Sequence, residues 1–198
     1  MPEDPAVETT AAPPERPYWV KTLFRVIGIY GWFFGSMFAA AGRFDWKRGW
    51  IALALWVVGM STMGVVVRRY NPQLLKEREK WRRKDTKPFD KVFLAIYLPL
   101  VMLQPAVAGL DAARYRWSSM PFPLVYVGAI LFILSLILIG WAMVINPHAE
   151  SSVRIQTDRN QTVITSGPYR FVHHPMYVGF IVMYVASSLV WGPSGRWR

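Results

Sequence analysis

The stretch FPLVYVGAILFILSLILIGWAMVI, Phe122–Ile145, decides the fold. It holds no charged residue and is the most apolar run in the chain. About 20 consecutive apolar residues cross the hydrocarbon core of a bilayer as a helix. A helix satisfies all of its own backbone hydrogen bonds, which lipid cannot do for it. This stretch therefore predicts a membrane-spanning helix.

Similar stretches lie on both sides. Upstream, Trp50–Val67 carries no charge, and Val92–Leu110 contains Pro99 and Pro105, which a membrane bundle tolerates where an aqueous helix would not. The first stretch, Trp19–Ala41, has Lys21 and Arg25 near its start. Its Gly28, Gly31, Gly35 and Ala39 form a small-residue stripe, which reads either as a close helix–helix seam or as the ordinary glycine content of membrane helices. Downstream, Met176–Gly192 follows Pro175, a residue suited to the first turn of a helix. The expected architecture is all-α, a multi-pass transmembrane bundle with about five spans over 18–198. Residues 1–17, Pro-rich and acidic, read as a disordered tail rather than a signal peptide. Trp46, Trp50, Trp81 and Trp117 stand at the edges of the stretches, where interface anchors belong.

Composition agrees: of 198 residues, 53% are hydrophobic and 18% charged. The net charge of +11 raises nucleic-acid binding as a class. The positive residues fall in short loops between apolar blocks, a pattern of membrane orientation, so no nucleic-acid partner is expected. The chain has no cysteine, which excludes disulfides, thiolate metal sites and a cysteine nucleophile.

The loop 68–91 holds ten Lys or Arg against four Asp or Glu. It should be cytoplasmic and grip anionic lipid headgroups. Counting spans from it places the N-terminus and the loop 146–175 in the cytoplasm and Asp111–Met120 outside. Arg43, Lys47 and Arg48, in the first short loop, pull the other way, against a larger asymmetry.

The segment SSVRIQTDRNQTVITSGPYRFVHHPMYVGF, residues 151–180, delivers Tyr169, Arg170, His173, His174 and Tyr177 to the start of the last apolar helix. Ionisable groups at a membrane boundary are costly unless they serve a purpose, either function or interfacial anchoring. The free N–H groups at that helix start suit an anion such as a carboxylate. Adjacent His173 and His174 do not have the i, i+4 spacing of a helical metal pair, and no metal is expected. His148 reads as a boundary residue. No catalytic triad, phosphate loop or carboxylate pair is present at a plausible spacing, so the catalytic residue remains unassigned.

The run from Gly167 to Gly179, GPYRFVHHPMYVG, resembles the signature of the isoprenylcysteine carboxyl methyltransferase family, whose relatives include phospholipid methyltransferases. Gly167, Tyr169, His174, Pro175, Tyr177 and Gly179 match the family pattern, and the stretches Val153–Arg159 and Lys87–Asp90 resemble bacterial members. The resemblance implies a cytosolic pocket for S-adenosylmethionine in 146–175, walled by Gly167, Tyr169, Arg170, His173, His174, Pro175, Tyr177 and Gly179. It also implies a hydrophobic, membrane-resident acceptor drawn from the lipid bilayer, with a prenylated-cysteine carboxylate, a lipid such as a phospholipid amine, and a hydrophobic small molecule all open. Arg170 is the residue expected to fork onto a carboxylate of cofactor or acceptor. Two positions depart from the pattern. His173 replaces the usual Arg, and no Glu follows Glu150, where the family carries a Glu pair, so the chain reads as C-terminally truncated. Two alternatives stay open: an inactive or incomplete membrane protein, and an NADPH-dependent membrane reductase of the sterol-reductase type.

Overall fold

The computed structural model describes residues 18–79, 86–151, 156 and 159–192. The tail 1–17 and Trp81 lie outside these residues. The architecture is all-α, with helices α1 Tyr18–Ala41, α2 Lys47–Tyr70, α3 Pro72–Arg78, α4 Pro88–Gly109, α5 Leu124–Ile145 and α6 Pro175–Trp191. Among the described residues, four helices are long and apolar enough to cross a membrane: α1, α2, α4 with its continuation to Tyr115, and α5. The fifth expected span is α6, with 17 residues. At about 1.5 Å per residue it covers roughly 25 Å, short of a hydrocarbon core of about 30 Å.

Helix boundaries follow local chemistry. Prolines open α3, α4 and α6, where a missing N–H costs nothing. At the α2–α3 elbow the Asn71 side chain accepts from Leu74 N at 3.3 Å, an N-cap bond. Pro99 and Pro105 both sit inside α4, with Pro105 buried in the bundle. At its far end α4 loosens into a π-helical turn, Leu110–Tyr115, which stops where Arg116 adopts a left-handed φ of 55°. Asp111 then holds the turn by accepting from Ser118 N at 2.8 Å.

α5 packs chiefly on α6 and on α2, while α1 packs chiefly on α4. The α5–α6 seam depends on glycine. A Cβ on Gly128 would stand 2.8 Å from Ala186 O, and one on Gly179 would run into Ile139 of α5. Absent side chains allow the two backbones this approach. The α1 stripe is different: a Cβ on Gly28, Gly31 or Gly35 would meet nothing within 4 Å. The stripe faces away from the bundle. α1 uses its other face, with Phe33, Phe34, Met37 and Phe38 in the core.

Two apolar clusters fill the interior. One joins α1, the start of α2 and the end of α6. The other joins the end of α2, Leu74 of α3, α5 and the middle of α6. Large apolar side chains point outward along the helices, among them Phe24, Val58, Val65, Leu100, Ile130 and Ile181. Such surface belongs against lipid. Where α4 meets α6, the hydroxyls of Tyr97 and Tyr184 form a hydrogen bond.

The bundle has two distinct ends. At one, Arg48 is 3% exposed; it donates to Gly192 O at the end of α6 and lies over the Phe122 ring, 5.3 Å from its centroid. The neighbouring Arg43 is paired with Asp45 at 2.6 Å. At the other end, the finish of α2, the short α3, the finish of α5 and the start of α6 meet. There Asn71 Nδ2 donates to Met143 O at 2.9 Å.

Candidate functional site

A cleft of about 860 Å³ opens at this second end. One wall is the segment after α5, with Asn146, His148, Ala149, Glu150 and Gln156. The other is the approach to α6, with Tyr169, His173, His174, Pro175, Met176 and Tyr177.

The approach wall is built by geometry that needs Gly167. Its φ is +58°, open to glycine at no steric cost, and a side chain there would collide with Ile145. The chain then makes one 3₁₀ turn, Gly167–Arg170, and enters α6 at Pro175. His174 is the residue before α6, and its carbonyl accepts from Tyr177 N at 3.1 Å. The rings of His174 and Tyr177 stack, with centroids 5.2 Å apart and planes 23° apart.

The opposite wall is a hydrogen-bonded network. His148 N donates to Asn146 Oδ1 at 2.8 Å, and Asn146 Nδ2 donates to the Tyr169 hydroxyl at 2.9 Å. Gln156, 3% exposed, donates through Nε2 to His148 O at 2.8 Å. Its Oε1 therefore faces His148 Nδ1 at 3.3 Å, which makes Nδ1 the donor of that ring. Arg159 Nη1 reaches Glu150 Oε1 at 3.1 Å, and the Glu150 side chain is 2% exposed. Burial raises the Tyr169 phenol above its usual range, partly offset by the Asn146 hydrogen bond, so it stays protonated at neutral pH.

The wall is fastened from outside by α3. Arg78 Nη1 donates to Ala149 O at 2.6 Å and to Glu150 O at 3.3 Å, and Ser151 Oγ donates back to Arg78 O at 3.0 Å. Burial lowers the Arg78 guanidinium from its ordinary value, though it remains charged at any working pH.

Of the residues singled out from sequence, Tyr169, His173, His174, Pro175 and Tyr177 meet at the cleft. Gly167 shapes the backbone behind it, Gly179 packs against α5, and Arg170 is exposed and does not belong to the lining. Asn146, His148, Glu150 and Gln156 were not read as site residues. Gln156 falls within the Val153–Arg159 stretch, whereas Asn146, His148 and Glu150 belong to no motif and are carried across from the signature by the fold. Val153, Arg154, Ile155, Thr157 and Asp158 lie outside the described residues. Among the described residues, no group of three or more His, Cys, Asp or Glu could hold a metal ion.

These features define a class: a helical membrane protein with a cleft of mixed polar and apolar lining at one end of its bundle, where the last helix begins. Residues 127–194 match the model of the isoprenylcysteine carboxyl methyltransferase (ICMT) family. The matched stretch takes in nearly all of α5, all of α6, the signature and every residue that lines the cleft, so this part of the chain is similar to members of that family. No match was found among curated proteins or solved structures.

Proposed function

We propose that the chain transfers a methyl group from S-adenosylmethionine to a hydrophobic acceptor held in the bilayer. One observation carries this reading: the cleft walled by Tyr169, His173, His174 and Tyr177 lies within the ICMT-family stretch, at an end of an apolar bundle. Its volume falls within the usual range of small-molecule sites, about 300–1,000 Å³. Its lining suits the cofactor. The stacked His174–Tyr177 pair offers an aromatic face to adenine or to a sulfonium cation. The first turn of α6 offers partial positive charge to a carboxylate. Asn146, Gln156 and Gln161 add neutral polar partners.

S-adenosylmethionine supplies an electrophilic methyl group on a sulfonium, so an acceptor that is already anionic needs no strong base. The residues of the cleft bind and align, and the packed α5–α6 seam limits the approach of water. The basic segment of α2 and α3 lies at the same end as the cleft, with Arg68, Arg69, Lys76 and Arg78 in the last turns of those helices. By the positive-inside rule that end faces the cytoplasm, the compartment that holds the methyl donor.

Calorimetry of the intact chain in detergent with S-adenosylhomocysteine tests the reading. Binding is expected, and His174→Ala should weaken it about tenfold or more through loss of the stacked face. Absence of binding, or undiminished binding by His174→Ala, would remove the cofactor from this cleft.

A further inference from the structure

Around Tyr169 the direction of each hydrogen bond can be worked out. The backbone N–H of His148 can only donate, and it meets Asn146 Oδ1 at 2.8 Å. This identifies the other amide atom as nitrogen, and it faces the Tyr169 hydroxyl at 2.9 Å. An amide NH₂ can only donate, so the phenol oxygen accepts. The phenol proton is thereby left over. Among the described residues Asn146 is the only hydrogen-bond partner of that hydroxyl, and Tyr169 lines the cleft. The first turn of α6, with Met176 and Tyr177 on the same cleft, places partial positive charge nearby. A donor O–H and a helix start together favour an anionic acceptor group.

We propose that Asn146 is a positioning residue: it turns the Tyr169 hydroxyl into an obligatory hydrogen-bond donor, and the ligand group it meets is the carboxylate of the cofactor's amino-acid arm. This rests on the reading that the cleft takes S-adenosylmethionine. It gives Tyr169 a defined partner and assigns a role to Asn146. It also places carboxylate recognition on a neutral phenol rather than on the exposed Arg170.

The test is a double-mutant cycle on the intact chain in detergent, read by calorimetry with S-adenosylhomocysteine and with 5′-methylthioadenosine, which lacks the amino-acid arm. Tyr169→Phe should weaken S-adenosylhomocysteine about tenfold and leave 5′-methylthioadenosine unchanged. Asn146→Leu, uncharged and of similar size, should weaken S-adenosylhomocysteine about three- to tenfold. The double variant should bind it no more weakly than Tyr169→Phe alone, because both changes act on one hydrogen bond. Losses that multiply in the double variant, or an Asn146→Leu affinity equal to wild type, would overturn the positioning role. Equal weakening of both ligands by Tyr169→Phe would overturn the carboxylate assignment. If the unsubstituted chain binds neither ligand, the cofactor reading falls together with this one; if it binds and the cycle is additive, only this one falls. Should Asn146→Leu fail to fold, as judged by helical circular dichroism, the Tyr169→Phe comparison between the two ligands still decides.

Discussion

Replacing Arg78 with Met would cut the tie between α3 and the cleft wall while keeping the length of the side chain. The bond to Ala149 O at 2.6 Å is a good charge-assisted hydrogen bond, and the one to Glu150 O at 3.3 Å is marginal. A hydrogen bond to a charged group contributes about 1.5–3 kcal/mol net, and the marginal one adds little. The wall should therefore lose roughly 2 kcal/mol of restraint, about a 30-fold rise in its open fraction. Hydrogen exchange with peptide-resolved mass spectrometry reads this directly. The amides of Asn146, Ala149 and Glu150 are all hydrogen-bonded in the closed wall, so their protection should fall about 30-fold. Peptides from α1 should not change. Because Arg78 stays charged throughout, the effect should be the same at pH 6 and pH 9. Arg78→Lys should recover most of the protection, since a single ammonium can reach the Ala149 carbonyl. Cofactor affinity should fall only a few-fold, because the ties from Asn71 and Ser151 persist. Unchanged protection at 146–150, or an equal loss across α5 and α6, would refute the view of Arg78 as a local fastening.

Two further outcomes are expected. Gly128→Val should destabilise the bundle by about 1–3 kcal/mol, because the new side chain meets Ala186 O, Leu189 and Val190, while Gly31→Ala should change stability by less than about 0.5 kcal/mol; thermal unfolding in detergent compares them, and similar losses would contradict the packing of α5 on α6. The raised Tyr169 pKa means that the folded chain holds its phenol proton to higher pH than the unfolded chain does. That stability is fully present below about pH 10 and is lost as pH rises through the folded value, so melting temperature should fall more steeply above pH 10 in wild type than in Tyr169→Phe.

Much of this was legible before any coordinates. α5 carries its own proof in an unbroken apolar run, and Pro175 marks the start of α6. What sequence periodicity could not show is where short or isolated polar residues go. α3 reads as part of a charged loop, because Lys76, Glu77, Arg78 and Glu79 follow one another within and just after seven helical residues. Its inward residues, Leu74 and Arg78, differ from their neighbours only by position. In sequence Arg48 is an awkward loop charge on the wrong side, yet it is buried against the face of the Phe122 ring as a partner of Gly192 O. The α1 glycines look like a packing seam but face outward. Within the signature itself, residues that share one motif divide between two tasks: Tyr169, His174 and Tyr177 form cleft wall, while Gly167 and Gly179 let backbones approach. A linear pattern records that such residues occur together and not which of them touch the ligand.

The shortness of α6 has a consequence for how a greasy molecule could be handled. Gly179 opposes Ile139, so Pro175, four residues earlier, falls level with about Met143, and α6 begins roughly 3 Å short of the end of α5 at Ile145. The mouth of the cleft is set back from the end of α5. Each methylene kept in oil avoids an extraction penalty of about 0.8 kcal/mol. On the proposed reaction, a recess of this kind would let a water-soluble methyl donor descend to its target, so that a long-chained acceptor would not have to surface.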